Sequence, residues 1–261
     1  MRQRLCAGAV ALTMSLAAAS VHAAEAAYHH VHLNVPAVDA AVRWYITHMA
    51  CRAFPGRPHI ADCAPALLVF SAGEATGPSV GTGINHIGFS FTDLDARVKV
   101  LAGAGVTITT PVREVQGLFK IAVVEDPWGT RIELVEHEGF SGFHHVHLSS
   151  VEPEQALTWY QNVFGGERTK MKGMLDAVTF GKVWLLAGRS KEPLAQSQGR
   201  VIDHLGFAFP ALDPAAAEMK RQGVTFTMAP KVSPPNSLLP KAAIVTGPDG
   251  VRIEVGEPPK P

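Results

Sequence analysis

The chain has 261 residues, 23 lysines and arginines against 23 aspartates and glutamates, and is 47% hydrophobic. With histidine neutral the net charge is zero, which gives no electrostatic attraction to nucleic acid or to an anionic membrane, so neither is expected as a partner. The length suits one large or two ordinary domains.

In chain order, residues 1–23 come first and have the form of a secretory signal. Arg2 and Arg4 precede an Ala-rich apolar run over 5–21, and Val21-His22-Ala23 resembles a small-residue cleavage site. The run is short and Ala-rich for a membrane span, although an uncleaved anchor helix is the competing reading. Gln3 separates the arginines, so the twin-arginine signal is absent. The expectation is Sec-type export, a periplasmic or secreted protein, and no membrane association after cleavage.

The pentapeptide His-His-Val-His-Leu follows at 29–33 and recurs at 144–148, with Trp44-Tyr45 and Trp159-Tyr160 at the same offset from each copy. That register implies an internal duplication. Each copy opens a strand and precedes an amphipathic helical stretch, at 38–49 and 154–164. Cys51 and Cys63 lie after the first helix. In an oxidising compartment they can bridge neighbouring strands, closing a loop worth about 3 kcal/mol; free buried thiols are the alternative. Their duplicate positions, Gly166 and Val178, confine any bridge to the first copy. β-Branched runs at 66–70 and 183–186 close these two units.

Two further strands begin in the same way, Ile84-Asn85-His86-Ile87-Gly88-Phe89 and Ile202-Asp203-His204-Leu205-Gly206-Phe207. Helices at 94–104 and 214–222 follow, then strand pairs at 121–125 with 131–135 and 243–246 with 252–255. Asp126-Pro127-Trp128-Gly129 and Gly247-Pro248-Asp249-Gly250 supply the turns. Gly105, Gly165 and Gly223 mark helix ends. Residues 71–83, 190–199 and 230–240 read as loops, the last as a lid or a plain surface loop. The unit is strand, helix and several strands, four times over.

Strand periodicity puts His30 and His32 on one face and His29 on the other, and likewise His145 and His147 opposite His144. His86 and His204 open the partner strands, and Glu133 and Glu254 lie on the closing ones. Two sets of equal composition result: His30, His86 and Glu133, and His145, His204 and Glu254. Two imidazoles and a carboxylate bind a divalent metal while leaving coordination positions free, as catalysis requires.

These residues, with His30-Val-His-Leu-Asn-Val35, Asn85-His86-Ile-Gly-Phe-Ser90 and Val124-Glu-Asp-Pro-Trp-Gly-Thr-Arg-Ile-Glu-Leu134, resemble the vicinal oxygen chelate superfamily. It includes glyoxalase I, extradiol dioxygenases, fosfomycin-resistance thiol transferases and bleomycin-resistance proteins. The resemblance covers essentially all of the chain after 23. It implies an α+β fold of tandem βαβββ modules paired into two cup-shaped domains, 24–138 and 139–261, with a metal in each cup. The residue-by-residue match makes His30, His86, Glu133, His145, His204 and Glu254 the metal ligands. The metal is divalent zinc, manganese, iron, nickel or cobalt.

Departures from the family patterns narrow the activity. The strands that carry an extra carboxylate in glyoxalase I read Leu67-Leu-Val-Phe-Ser-Ala-Gly73 and Val183-Trp-Leu-Leu-Ala-Gly188 here, without an acid, and an exported protein lacks cytosolic glutathione. The His and Tyr that extradiol dioxygenases place before the closing hairpin are missing from 115–124 and 238–246. His32 and His147, one strand step from a ligand, are the substitutes expected to act in acid–base catalysis. The implied function is metal-dependent Lewis-acid activation of a small vicinally oxygenated substrate, of lyase, isomerase or dioxygenase type. The alternative is a non-catalytic binding or sequestering protein of the bleomycin-resistance type. One working and one vestigial site is a further possibility. The partner is a small molecule, and the protein is a monomer or homodimer.

Overall fold

A computed structural model describes residues 25–259; the expected signal segment at 1–23 lies outside the described residues. Four units follow one another. The first comprises β1 (Ala27–Val35), α1 (Val38–His48), β2 (Arg52–Ala53), β3 (Ile60–Asp62) and β4 (Leu67–Ala72). The second is β5 (Ile84–Ser90), α2 (Leu94–Gly103), β6 (Thr107–Glu114), β7 (Lys120–Glu125) and β8 (Arg131–Val135). The third is β9 (Gly142–Ser150), α3 (Pro153–Phe164), β10 (Glu167–Met171), β11 (Leu175–Phe180) and β12 (Val183–Arg189). The fourth is β13 (Ile202–Ala208), α4 (Leu212–Arg221), β14 (Thr225–Val232), β15 (Lys241–Thr246) and β16 (Arg252–Glu257). The fold is the expected α+β arrangement of βαβββ units.

Several strands escaped the sequence reading. β2 and β3 are brief and β6, β10 and β14 face solvent, whereas β11, with Ala177, Val178 and Phe180 buried, carries an apolar signal that was not used. Thr107–Glu114 and Thr225–Val232 have no fully buried residue; their apolar face is limited to half-buried Ile108 and Val112, and Phe226 and Met228. Residues 71–72 and 230–232, expected in loops, extend β4 and β14.

The sheets do not follow the sequence halves. One has the order β14-β15-β16-β13-β1-β4-β3-β2, the other β10-β11-β12-β9-β5-β8-β7-β6. The first unit therefore shares a sheet with the fourth, and the second with the third. At the centre of each, antiparallel strands meet: β1 against β13, with His32 opposite His204, and β5 against β9, with His86 opposite His147. Each central strand also has a parallel neighbour, β4, β16, β12 or β8.

Alternation fixes which face is which. Val31, Leu33 and Val35 of β1 are fully buried in the core, whereas His30, His32 and Asn34 point the other way. One core joins both sheets. Tyr28 of β1 meets Phe143 of β9 at 6.0 Å, and Phe89 of β5 meets Phe143 at 5.6 Å. Phe164 stacks on Phe207 at 4.2 Å, and such aromatic pairs add about 0.5–1.5 kcal/mol beyond area burial. Cys51 and Cys63 form a disulfide that ties the end of the first helical segment to the strand after it.

Candidate metal centres

The crosswise pairing corrects the sequence-based grouping of ligands. His30 and His86 lie in different sheets, as do His145 and His204. The first cup instead gathers His30 and His32 from β1, His204 from β13 and Glu254 from β16. The second gathers His86 from β5, Glu133 from β8, and His145 and His147 from β9. All eight residues converge, but with exchanged partners. Both pairings satisfy the same motif, since β9 copies β1 and β13 copies β5.

In the first cup Glu254 Oε2 lies 3.3 Å from His30 Nε2 and 3.9 Å from His204 Nε2. In the second, Glu133 Oε2 lies 3.6 Å from His86 Nε2 and Oε1 lies 3.9 Å from His145 Nε2. His30, His32 and His204 place ring nitrogens within 4.8 Å of one another, and so do His86, His145 and His147.

Close approach at two glycines makes this convergence possible. Gly206 sits opposite His30, and Gly88 opposite His145. A Cβ at Gly206 would lie 2.1 Å from the His30 ring, and one at Gly88 2.0 Å from the His145 ring. Side-chain-free backbone lets each imidazole lie across the neighbouring strand into the cup.

Four bulges supply the partners of the ring nitrogens. The registers slip between Tyr28 and His30, and between Gly88 and Phe89 opposite His145 and Phe143. The extra residues are His29 and His144, and bulges re-aim side chains. Neither faces away as strict alternation predicted. His29 Nδ1 lies 2.9 Å from His30 Nδ1, and His144 Nδ1 2.8 Å from His145 Nδ1. His144 Nε2 in turn meets His137 Nδ1 at 2.9 Å. The other two slips leave Asp203 and Asn85 as the extra residues. Asp203 Oδ1 accepts from His204 Nδ1 at 2.5 Å, and Asn85 Oδ1 from His86 Nδ1 at 2.8 Å.

These bonds set the tautomers. An Nδ1–H committed to an acceptor leaves the Nε2 lone pair facing the cup, the usual state of a metal-bound histidine. The Nε2 atoms of His86, His145 and His204 are buried and have no hydrogen-bond partner. Leaving a buried polar atom unsatisfied costs about 1–3 kcal/mol, so three of them around two carboxylates call for a shared partner. Metal–ligand bonds of about 2.0–2.2 Å place neighbouring ligand atoms about 3–3.4 Å apart; the separations here, 3.3, 3.6, 3.9 and 3.9 Å, lie within about half an ångström of that range. The residues fit a divalent first-row metal in each cup.

Electrostatics separate the two cups. Burial pushes the Glu133 carboxyl up to about 7, with Arg131 and Arg113 acting the other way. Burial also opposes ionisation of Glu254, but the facing His204 and His30 rings outweigh it and hold its carboxyl well below the usual range. Burial lowers His204, yet Asp203 and Glu254 prevail and raise it. His86 and His145 are pushed well down by burial, then by neighbouring cations or imidazoles.

The residues assigned to acid–base work flank the ligands. His32 lies on His204 at 4.4 Å between ring centroids and His147 near His86 at 4.8 Å. Burial, then the neighbouring imidazoles, lower His32 to about 2; burial and Arg131 lower His147 to about 4. Both are neutral near pH 7. Ser71 Oγ holds His32 Nε2 at 2.6 Å, whereas Gly188 stands at the matching place beside His147. Over the first cup, a cavity of about 420 Å³ is lined by Val69, Phe70, Met228 and the segment 233–239 as well as the ligands. Arg57 donates to the carbonyls of Asn236 and Ser237, fastening that segment over the cup.

Sequence reasoning missed His29, Asn85, His137, His144 and Asp203 as partners of ligands, and Gly88 and Gly206 as the glycines beneath them. Six of these stand inside the quoted motifs, four in Asn-His-Ile-Gly and Asp-His-Leu-Gly and two at the head of His-His-Val-His-Leu. That repetition was the available signal.

Paired βαβββ units, with histidines and a glutamate that could hold a metal ion gathered on each sheet, define a class of α+β proteins. The family model of the glyoxalase/bleomycin resistance protein/dioxygenase superfamily matches residues 27–134 and 142–255. The chain belongs to that superfamily, as two tandem glyoxalase-like domains. Among solved structures it is similar to glyoxalase I from Zea mays, with 15% identity over 89% of this chain and 92% of that one and a TM-score of 0.71. The V278E mutant of the same enzyme gives 17% identity over 89% and 92%, with a TM-score of 0.72. A putative dioxygenase from Bacillus subtilis matches at 17% identity over 91% of this chain and 87% of that one, with a TM-score of 0.65. At these identities the likeness is one of fold. No curated protein matches the sequence.

Proposed function

We propose that the protein is a metal-dependent enzyme that activates a small, vicinally oxygenated substrate, by lyase or isomerase chemistry or as a dioxygenase. The observation that carries this reading is the set of buried, partnerless Nε2 atoms of His86, His145 and His204 facing Glu133 and Glu254. A pure sequestering pocket has no use for them, because each unsatisfied nitrogen destabilises the fold.

His30, His204 and Glu254 would hold one divalent ion, and His86, His145 and Glu133 the other. Zinc, manganese, iron, nickel and cobalt all suit such donors. When bound, the metal supplies Lewis-acid polarisation of the substrate oxygens. The chain's own residues do the rest. His29, Asp203, Asn85 and His144 fix the ring orientation of the ligands. His32 and His147, neutral at physiological pH, offer a nitrogen to the proton that leaves or joins the substrate. Over the first cup, Arg57 and the segment 233–239 limit access of water.

Metal analysis of the protein with His86→Ala and His204→Ala tests the reading. Two metals per chain, one lost with each substitution, are expected. No metal at either cup leaves the sequestering alternative. Oxygen uptake with catechols then separates a dioxygenase from a lyase or isomerase.

We also propose export to the periplasm or outside the cell. The Cys51–Cys63 disulfide supports an oxidising compartment, in keeping with the signal-like segment at 1–23. Cell fractionation with N-terminal sequencing checks it.

A further inference from the structure

We propose that the two cups are unequal metal sites, and that Asp203 makes the His30–His204–Glu254 cup the tight one. This rests on the metal reading above.

Most of the surroundings are duplicated and therefore cancel. His30 and His145 each have a neutral imidazole behind Nδ1, from His29 and His144. Arg252 and Arg131 occupy equivalent places, one step before the glutamate ligand. His137 extends the chain behind His145, a polarising effect that strengthens a hydrogen bond by about 10–30%.

What does not cancel is the acceptor at the bulge before the second histidine. In the first cup it is the carboxylate of Asp203, only 5% exposed. Its oxygens also accept from Gly199 N at 2.7 Å, from Arg252 Nη1 at 2.7 Å and from Asn34 Nδ2 at 3.4 Å. Four donors hold it ionised and fixed. In the second cup the acceptor is the Asn85 amide, whose Nδ2 donates to Ser149 Oγ at 3.1 Å. Arg131 makes no side-chain hydrogen bond or ion pair among the described residues.

A carboxylate on Nδ1–H donates electron density through the ring and raises the basicity of Nε2; a neutral amide does so far less. Partners of this kind change metal affinity by about 10–100-fold. The local charge differs in the same direction. The first cup has its ligand glutamate, Arg252 and the negative charge of Asp203, whereas the second has its ligand glutamate with Arg131 and Arg113 near it and no further carboxylate. Asp203 is thus a positioning and tuning residue that acts through His204.

Titration of metal-free protein with zinc against a chromophoric chelator tests this. Two binding events separated by about 10–100-fold are expected. His204→Ala should remove the tighter event and His86→Ala the weaker. Asp203→Asn should bring the tight event down to the weak one. Asn85→Asp should do the reverse and raise the weak event. Ser149 can turn its hydroxyl to donate, and Arg131 stands where Arg252 stands for Asp203. The gain in Asn85→Asp cannot come from damage to folding, so it keeps the proposal falsifiable if Asp203→Asn folds poorly. Two events of equal affinity, or a gain absent in Asn85→Asp, overturn the ranking and leave the metal reading intact. Absence of zinc binding at either cup overturns the metal reading itself.

Discussion

Gly206→Ala isolates one contact on which the first cup depends. The backbone there lies outside the left-handed region, so alanine meets no conformational strain, only the His30 ring. Its Cβ would stand 2.1 Å from His30 Cε1 and Nδ1 and 2.7 Å from Nε2. Ordinary carbon contacts are about 3.5–4.0 Å, so the ring must retreat by about 1.5 Å. Metal sites tolerate ligand displacements of about 0.2 Å. The ring cannot move that far and remain a ligand. Overpacking of this kind costs about 1–3 kcal/mol, and for a chain of this length each kcal/mol lowers Tm by about 2–4 °C. The variant should fold, melt roughly 2–12 °C lower, and hold one metal per chain rather than two. Elemental analysis and calorimetry of the same preparation measure both quantities. Retention of two metals at unchanged affinity would refute the argument that the glycine makes room for the ligand.

Three further outcomes follow from the same geometry. Gly88→Ala should be the mirror image, emptying the His86–His145–Glu133 cup and leaving the other loaded; loss of both metals would show that the cups are not independent. Reducing the Cys51–Cys63 bond should destabilise the fold by about 3 kcal/mol; identical melting curves with and without reductant would contradict this. The metal-free protein should lose stability in acid. Burial lowers His29 and His147 to about 4 and His144 to about 3, against an ordinary value of 6.5. The unfolded chain therefore takes up protons first, so the contribution is complete above pH 6.5 and is lost as the pH falls towards 4 and then 3. Each histidine gives a slope of up to about 1.4 kcal/mol per pH unit. Glu133, held up to about 7, works in the opposite sense between its ordinary value and 7 and offsets about one of the three. Urea unfolding in chelator at pH 7.5 and 5.0 reads the net loss; equal free energies would rule out neutral burial.

The elements that were legible in the sequence are those with a buried face. Helices at 38–49 and 94–104 end within one residue of Val38–His48 and Leu94–Gly103, and Arg131–Val135 was read to the residue. Their apolar spacing, and the glycine that stops the second helix, are local properties. β6 and β14 alternate between exposed and half-buried positions at the sheet edges, but the alternation is short and Pro111 and Pro230 interrupt it, as edge strands allow.

The eight cup residues were legible as a set because the duplication printed each of them twice. Their partnership was not. His-Val-His-Leu of β1 and of β9 is the same sequence, and Asn-His-Ile-Gly-Phe differs from Asp-His-Leu-Gly-Phe by two substitutions that leave shape and polarity alike. Pairing β1 with β5 or with β13 therefore offers the same alternation, the same glycine beneath a histidine and the same glutamate beyond. Duplication doubles the signal for which residues matter and removes the signal for which copy they join. The bulges were hidden for a related reason. Strict alternation sends His29 and His144 to the far face, and only a register slip against the partner strand brings them back to the ligand's Nδ1. A bulge belongs to two strands at once, so it cannot be read from one. Of those two substitutions the one that changes charge, Asp203 against Asn85, lies at such a bulge, where a carboxylate replaces an amide behind a ligand. On the reading proposed above, that single exchange gives one chain with two nearly identical motifs two sites of different strength.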